Sequence, residues 1–457
     1  MKRRSLASVA RAVGGALATE DVEVSSVQTD SRLVADGALF VALVGAQADG
    51  HAFVADAFDQ GAAAVLVRSG AVADGPAVVV ADTGQALLDL AADERRGFTG
   101  TVVAITGANG KTSTKDMAAA VCAERFRTHA SPRSFNNEVG LPMTLLGTPP
   151  DSDVVIAELG ARHVGDVQRL MPIADPSVVV VTNVGVAHME VFGSWEAIVE
   201  ASAEPIEALD PEDLAILNAD DGVAATFADR TRARVRSFGR GAEAAVRADD
   251  VSLAADGCAS FDLVADGGRA RVSLAVPGEH MVHNALAAAA VGLELRVPLA
   301  SCASALSAAR ITPWRMETTA TAAGVRVVND AYNANPESVA AALKTARWIA
   351  ADGRLIAVLG QMAELGAIAA EEHERIGELA ARLRVDRLIT IGPEAKAIAV
   401  AGVREGVEPE NVADYEEADA ALADVLAVAR DGDVVLIKGS RVAGLERLAA
   451  QLVEALS

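Results

Sequence analysis

A chain of 457 residues, 51% of them hydrophobic, has enough apolar material for two to four packed domains. Its net charge of −23 excludes nucleic acid or an anionic membrane as a general partner, while an anionic nucleotide in a locally basic pocket stays compatible with it. Aromatic residues make up only 3%, so Ala, Val and Leu must do the packing. Cys122, Cys258 and Cys302 are widely spaced and form neither a CxxC pair nor a disulfide framework. No apolar run has the length of a signal peptide core or a membrane span, so a cytoplasmic protein without stable membrane insertion is expected.

Residues 1–97 read as one unit. Its centre is the polar run Gln28-Thr29-Asp30-Ser31-Arg32, followed by a turn into a strand at 36–43. Thr29, Ser31 and Arg32 suit a phosphate or a ribose, and equally an ordinary polar turn. Asp49-Gly50-His51 caps a helix through Gln60, with His51 read as a capping or packing residue, and 63–67 is a short strand.

Residues 98–311 read as a second unit, opened by its most informative stretch. The β-branched run 102–106 is a buried strand, Gly107-Ala108-Asn109-Gly110 is a turn, and Lys111-Thr112-Ser113 leads into an Ala-rich helix at 114–123. A strand, a glycine loop and a helix N-terminus make an anion cradle, in which Lys111 reaches phosphate oxygens and Thr112 holds Mg²⁺. The longer form of this pattern has another glycine where Ile105 stands. Strands at 154–158, 178–183 and 215–218 alternate with helices, which predicts a mainly parallel sheet with ligands at the carboxyl ends of its strands. Glu158, Asn183 and His188 fall there. A carboxylate and an imidazole beside a phosphate loop suggest Mg²⁺ ligands, Glu being the natural oxygen donor. Asn218, Asp220 and Asp221 follow a third strand and fit a site or a capped turn. Short alternating runs over 230–276 predict a small antiparallel appendage. His280 and Asn284 share a helix face, suited to a base edge or to capping.

Residues 312–457 read as a third, Rossmann-like unit with strands at 325–329, 355–359, 387–391 and 434–437. Asp330-Ala331-Tyr332-Asn333-Ala334-Asn335-Pro336, the run Gly360 to Gly366, and Lys438-Gly439-Ser440-Arg441 each follow a strand end, as a binding edge requires. Lys438-Gly439-Ser440 resembles a second anion site or a simple helix entrance. Runs at 369–380 and 416–429 read as amphipathic helices. The chain is therefore α/β: an N-terminal domain, a central P-loop domain and a C-terminal Rossmann-like domain.

With these motifs in place, the sequence resembles the Mur ligases over essentially its whole length. These are three-domain, ATP-dependent, amide-forming enzymes of peptidoglycan precursor synthesis. The resemblance rests on Thr106 to Ser113, Asn136 to Pro142, Thr182-Asn183 with His188, Ile216 to Asp221, and Gly278 and His280 with Asn284. The run Asp330 to Pro336 is similar to that of the members that add D-alanyl-D-alanine to UDP-N-acetylmuramoyl-tripeptide. The Asp-Asn-Pro-Arg run of the siblings that add the third amino acid does not occur. The resemblance implies ATP and Mg²⁺ as cofactors, those two substrates as partners, and a monomer. It assigns Thr29, Asp30, Ser31, Arg32, Asp49, Gly50 and His51 to the uridine nucleotide. It assigns Gly107 through Ser113, Asn284, Arg315 and Asp330 to ATP, and Thr112, Glu158 and His188 to metal. Lys111, Glu158, His188 and Asn137 form the implied catalytic set, and Asn333 and Asn335 face the incoming dipeptide. A sibling ligase of folyl-polyglutamate type remains the alternative.

One position departs from the pattern. Fourteen residues after His188 the family carries a lysine that CO₂ converts to a carbamate, an anionic metal ligand; here it is Ser202. The departure implies a water network, a displaced Glu200 or Glu204, or a weakened or non-catalytic homologue.

Overall fold

The computed structural model describes residues 1–45 and 48–457. A two-stranded antiparallel pair, Arg4–Ser5 with Glu23–Val24, accompanies three larger sheets that follow one another along the chain. The first has five strands, in the order Ala16–Leu17, Ala77–Val80, Ala62–Arg68, Ala38–Val41 and Ser26–Gln28, parallel except for the first pair. Asp49 caps a short 3-10 turn, Gly50–Phe53, before the helix Val54–Asp59.

The second sheet has nine strands, with Thr101–Thr106 between Val178–Val181 and Val154–Glu158. Thr101–Thr106 reads Thr-Val-Val-Ala-Ile-Thr and is buried on both faces, as expected for a parallel strand covered by helices. Successive residues serve opposite faces. Val103 and Ile105 pack with Met117, Val121 and Leu286, while Val102 and Ala104 pack with Leu87, Leu141 and Ile198. Each such aliphatic side chain contributes about 1.5–3 kcal/mol by leaving water. The register sets Glu158 opposite Ile105 and Val181 opposite Thr106, so the strand ends and their loops rise at one edge.

The helix Lys111–Ala123 starts three residues before the expected 114. It lies against the Ala-rich helix Met281–Glu294, whose small side chains permit close approach. A Cβ on Gly292 would lie 2.2 Å from Val121 Cγ1.

The expected appendage over 230–276 is instead a continuation of this sheet. Arg234–Gly239 pairs parallel to Leu214–Asn218, Val246–Leu253 adds parallel to Arg234–Gly239, and Cys258–Ala265 and Gly268–Pro277 follow antiparallel at the far edge. The reason is the apolar stripe of these strands. Phe238, Val246, Phe261 and Val272 are buried in the same core as Met281 and Leu286.

The third sheet has six strands, in the order Glu317–Ala320, Arg326–Asn329, Val434–Lys438, Leu355–Gly360, Arg387–Ile391 and Val412–Tyr415. All neighbours are parallel except the first pair. The amphipathic runs form the helices Ala369–Arg382 and Ala418–Val428. Val328, Leu343 and Leu355 join the core of the second sheet, which brings the loops of both sheets to a common seam. Among the described residues, no helix is long and apolar enough to cross a membrane.

Candidate active site

The loop after Thr101–Thr106 takes its shape from two glycines. Gly107 has φ +130 and Gly110 φ +80, conformations that L side chains rarely adopt. Neither has room for a side chain: a Cβ on Gly110 would lie 2.3 Å from Asn284 Oδ1, and one on Gly107 2.2 Å from Thr182 Oγ1. Thr182 Oγ1 and Asn183 Nδ2 donate to Asn109 O at 2.6 and 3.1 Å, and Asn109 N donates to Asn183 Oδ1 at 2.8 Å. Gly110 caps the next helix with no side chain, so the first helical N–H groups stay available to an anion. Lys111 Nζ folds back onto Gly107 O at 2.5 Å. Its desolvated surroundings push its pKa down; Glu158 opposes that shift and Arg315 adds to it.

Thr112 is the hub of a buried polar group. Its hydroxyl donates to Glu158 Oε2 at 2.9 Å, accepts from Arg315 Nη2 at 2.8 Å and lies 3.0 Å from Ser134 Oγ. Glu158 is 1% exposed, and its Oε1 accepts from Asn136 Nδ2 at 2.9 Å. Asn137 lies one residue away on the exposed side, where its Oδ1 accepts from Val139 N and Gly140 N at 3.3 and 2.9 Å.

The seam with the third sheet brings in residues that the sequence did not single out as site residues. His188, left-handed at φ +58, joins its Nδ1 to Glu364 Oε2, and Glu190 N donates to Glu364 O at 3.0 Å. Burial lowers the His188 pKa, and the Glu364 carboxylate works against that shift. Glu337 Oε1 accepts from Val186 N at 3.2 Å, and Asn335 Nδ2 donates to Asn109 Oδ1 at 2.7 Å. Glu364 and Glu337 carry no local signal, because their partners lie 176 and 151 residues away.

Beside the loop is a cavity of roughly 330 Å³ lined by Asn109, Gly110, Asn183, Asn218, Asp220, His280, His283 and Asn284. His283 Nε2 lies 2.8 Å from Asp220 Oδ2, which also accepts from Arg240 N at 2.6 Å. His283 was legible only as the neighbour of Asn284.

Asp330 is held in place by other protein groups. Its Oδ2 accepts from Lys438 Nζ at 2.5 Å and its Oδ1 from Met316 N at 3.0 Å. Lys438 also donates to Asn333 O at 3.0 Å, and Ser440 Oγ donates to Ala334 O at 3.2 Å. The expected second anion site at Lys438-Gly439-Ser440 is thus corrected: the lysine is buried and its charge is spent on Asp330. Asn333 itself is exposed at the rim.

In the first sheet, Asp30 caps the turn Ser31–Leu33 that follows Thr29, and it pairs with the guanidinium of Arg32 at 2.7 Å. His51 Nδ1 donates to Asp49 Oδ1 at 2.6 Å and its Nε2 accepts from Arg68 N at 3.0 Å. A groove there is lined by His51, Arg68, Ser69, Gly70 and Val72.

Ser202 Oγ donates to Ile198 O, 2.7 Å away on its own helix. Glu200 pairs with Arg230 at 2.6 Å, and Glu204 accepts from Gly165 N and Gln168 N at 2.5 and 3.0 Å. Both glutamates are committed elsewhere, so neither is displaced toward position 202.

Residues 105–292 match the Mur ligase middle domain, 314–441 the glutamate ligase domain of Mur ligases, and 23–95 the Mur ligase family catalytic domain. A UDP-N-acetylmuramoyl-tripeptide–D-alanyl-D-alanine ligase from Mycobacterium tuberculosis is 41% identical, over 98% of this chain and 97% of its own. The chain belongs to the Mur ligase family. The Bacillus subtilis ligase of the same name is 33% identical over 99% of both chains. A crystal structure of MurF from Acinetobacter baumannii matches with a TM-score of 0.89 and 30% identity, covering 99% of this chain and 100% of that one. MurF from Thermotoga maritima, solved in complex with ADP, matches with a TM-score of 0.81 and 27% identity, covering 94% and 97%. This Mur ligase therefore has the three-domain α/β fold of the family and is an ATP-dependent, amide-forming ligase.

Proposed function

We propose that this Mur ligase joins D-alanyl-D-alanine to UDP-N-acetylmuramoyl-tripeptide in the cytoplasm, as a monomer, during peptidoglycan precursor synthesis. The observation that carries the reading is the approach of the Asp330 to Pro336 loop to the phosphate loop, through Asn335 and Asn109. The identity to ligases of that name supports it. The proposed division of labour follows the three units. Residues 1–97 hold the uridine nucleotide with Thr29, Asp30, Ser31, Arg32, Asp49, Gly50 and His51. Residues 98–311 bind ATP with Gly107 to Ser113 and Asn284. Residues 312–457 supply Arg315 and Asp330 and receive the dipeptide at Asn333 and Asn335.

A carboxylate is a poor electrophile, so ATP first phosphorylates the terminal carboxylate of the tripeptide. That step releases ADP; the dipeptide amine then attacks the acyl phosphate, and the tetrahedral adduct loses a proton and collapses to the amide and phosphate. Lys111 and Arg315 offset negative charge on the transferred phosphoryl group from fixed positions. The Thr112 hydroxyl and the Glu158 carboxylate are hard oxygen donors and fit Mg²⁺, which takes few protein ligands and completes its shell with phosphate oxygens and water. Mg²⁺, when bound, supplies charge neutralisation between phosphate groups. His188 is proposed as a further ligand near the acyl phosphate, and Asn137 as part of the same wall.

Phosphate release with UDP-muramyl-tripeptide, D-Ala-D-Ala and ATP, each omitted in turn, tests the reading. Release that needs all three is expected. Turnover with a folate acceptor and none with the UDP-linked peptide would replace it by the folyl-polyglutamate alternative.

A further inference from the structure

The segment between the second and third sheets carries an arginine whose surroundings are unusual. Arg315 stands between Trp314 at φ +65 and Met316 at φ +53, two non-glycine residues in the left-handed region. Thr312 N donates to Asp116 Oδ2 at 2.7 Å, which ties this segment to the phosphate-loop helix. Arg315 Nη2 reaches Thr112 Oγ1 at 2.8 Å and Ser134 Oγ at 3.4 Å, and its Nε is buried with no hydrogen-bond partner. Among the described residues no carboxylate pairs with it. What lies on its face is an aromatic ring: Arg315 Cζ is 4.3 Å from the centroid of Tyr332.

We propose that Tyr332 is the positioning residue for Arg315, holding the guanidinium by its face so that the edge donors point at the phosphate loop without being neutralised. A carboxylate partner would orient the arginine but would also cancel its charge. A ring attracts the cation through its quadrupole and leaves the N–H edge free for an anion. Tyr332 is itself clamped. Its N–H donates to Trp314 O at 3.3 Å, and the two rings lie 6.5 Å apart. Arg441 lies 4.7 Å over Trp314 and pairs with Glu446 at 2.9 Å. Tyr332 follows the strand Arg326–Asn329, which pairs with Glu317–Ala320 just after Arg315, so ring and arginine are held at the same end of the third sheet. The inference rests on the proposed reading that Arg315 faces the terminal phosphate of ATP.

The test replaces Tyr332 by Phe, and by pentafluorophenylalanine, which keeps the ring's shape and reverses its quadrupole. Two readouts are taken: kcat from phosphate release, and the affinities for AMP-PNP and ADP by calorimetry, which need no turnover. The Phe protein should stay within about twofold of the parent in both, while the fluorinated protein loses about tenfold in kcat and in its preference for AMP-PNP over ADP. The KM for D-Ala-D-Ala should not move. In an Arg315→Ala background the two ring replacements should be indistinguishable. Equal behaviour of the Phe and fluorinated proteins, or a fluorination effect that persists without Arg315, would overturn the proposal. A parent chain that lacks ligase turnover yet loses AMP-PNP preference on fluorination would sink the ligase reading and leave the Tyr332–Arg315 pairing standing.

Discussion

Asn335 donates from Nδ2 to Asn109 Oδ1 at 2.7 Å, across 226 residues of sequence. The other end of the same amide accepts from Ser338 N at 2.9 Å and caps the helix Pro336–Ala350. One side chain thus starts a helix of the third sheet and touches the phosphate loop. Asn109→Ala removes the bridge alone, worth about 1 kcal/mol, so the KM for ATP should rise about fivefold with little change in melting temperature. Asn335→Ala should add the loss of a cap, about 1 kcal/mol of stability. The double variant should show no further rise in KM; multiplied effects would mean that the two side chains act separately.

Lys111→Ala should abolish ligation, by at least about 10²-fold for one lost charge-stabilising donor, while the circular dichroism stays native. The fold should survive because Lys111 Nζ donates only to loop carbonyls and Lys111 belongs to none of the hydrophobic core clusters. Full turnover by the purified variant would remove the phosphate-loop assignment.

Glu158→Gln should raise the Mg²⁺ concentration needed for half-maximal activity, since a neutral amide is a weaker ligand for a hard cation. It also turns an acceptor into a donor opposite either Asn136 Nδ2 or Thr112 Oγ1, so about 1–3 kcal/mol of stability should be lost with it. A Mg²⁺ titration and a denaturant melt separate the two effects. An unaltered titration would take Glu158 out of the metal site.

Ser202→Lys should increase turnover and make it depend on bicarbonate, whereas the parent chain should show no bicarbonate response. Ser202 Oγ is occupied by Ile198 O, and Glu200 and Glu204 are held by Arg230 and by two backbone N–H groups. Neither of these two carboxylates stands in for the missing charge. If the parent is fully active and the lysine variant is no faster, position 202 is not where that charge is needed.

The phosphate loop was legible because its information is local. A β-branched run, two glycines and Lys-Thr fix strand, turn and helix start within a dozen residues. Glu158 was legible for a related reason, as a carboxylate ending a buried strand. The sheet that 230–276 would join was not, because alternation specifies an antiparallel partner and an apolar face but not which core receives that face. Asp330 and Lys438 show the same limit from the other side. Each looked like a ligand residue from its position at a strand end, yet they pair with each other across 108 residues. His188 with Glu364, Arg315 with Tyr332 and Asp220 with His283 likewise depend on how distant loops meet, and no spacing in the chain encodes that.

The seam at Glu190 and Glu364 is closed by backbone as well as by side chains. Gly366 lies so near it that an added Cβ would stand 2.9 Å from Glu190 Cα. A cleft shut this tightly is expected to part and reclose in each cycle, against the drag of the surrounding water. The turnover rate should therefore fall as sucrose thickens the medium, while kcat for Gly366→Ala, whose methyl group props the two faces apart, should respond less to viscosity. A parent rate indifferent to viscosity would place the slow step in bond-making instead.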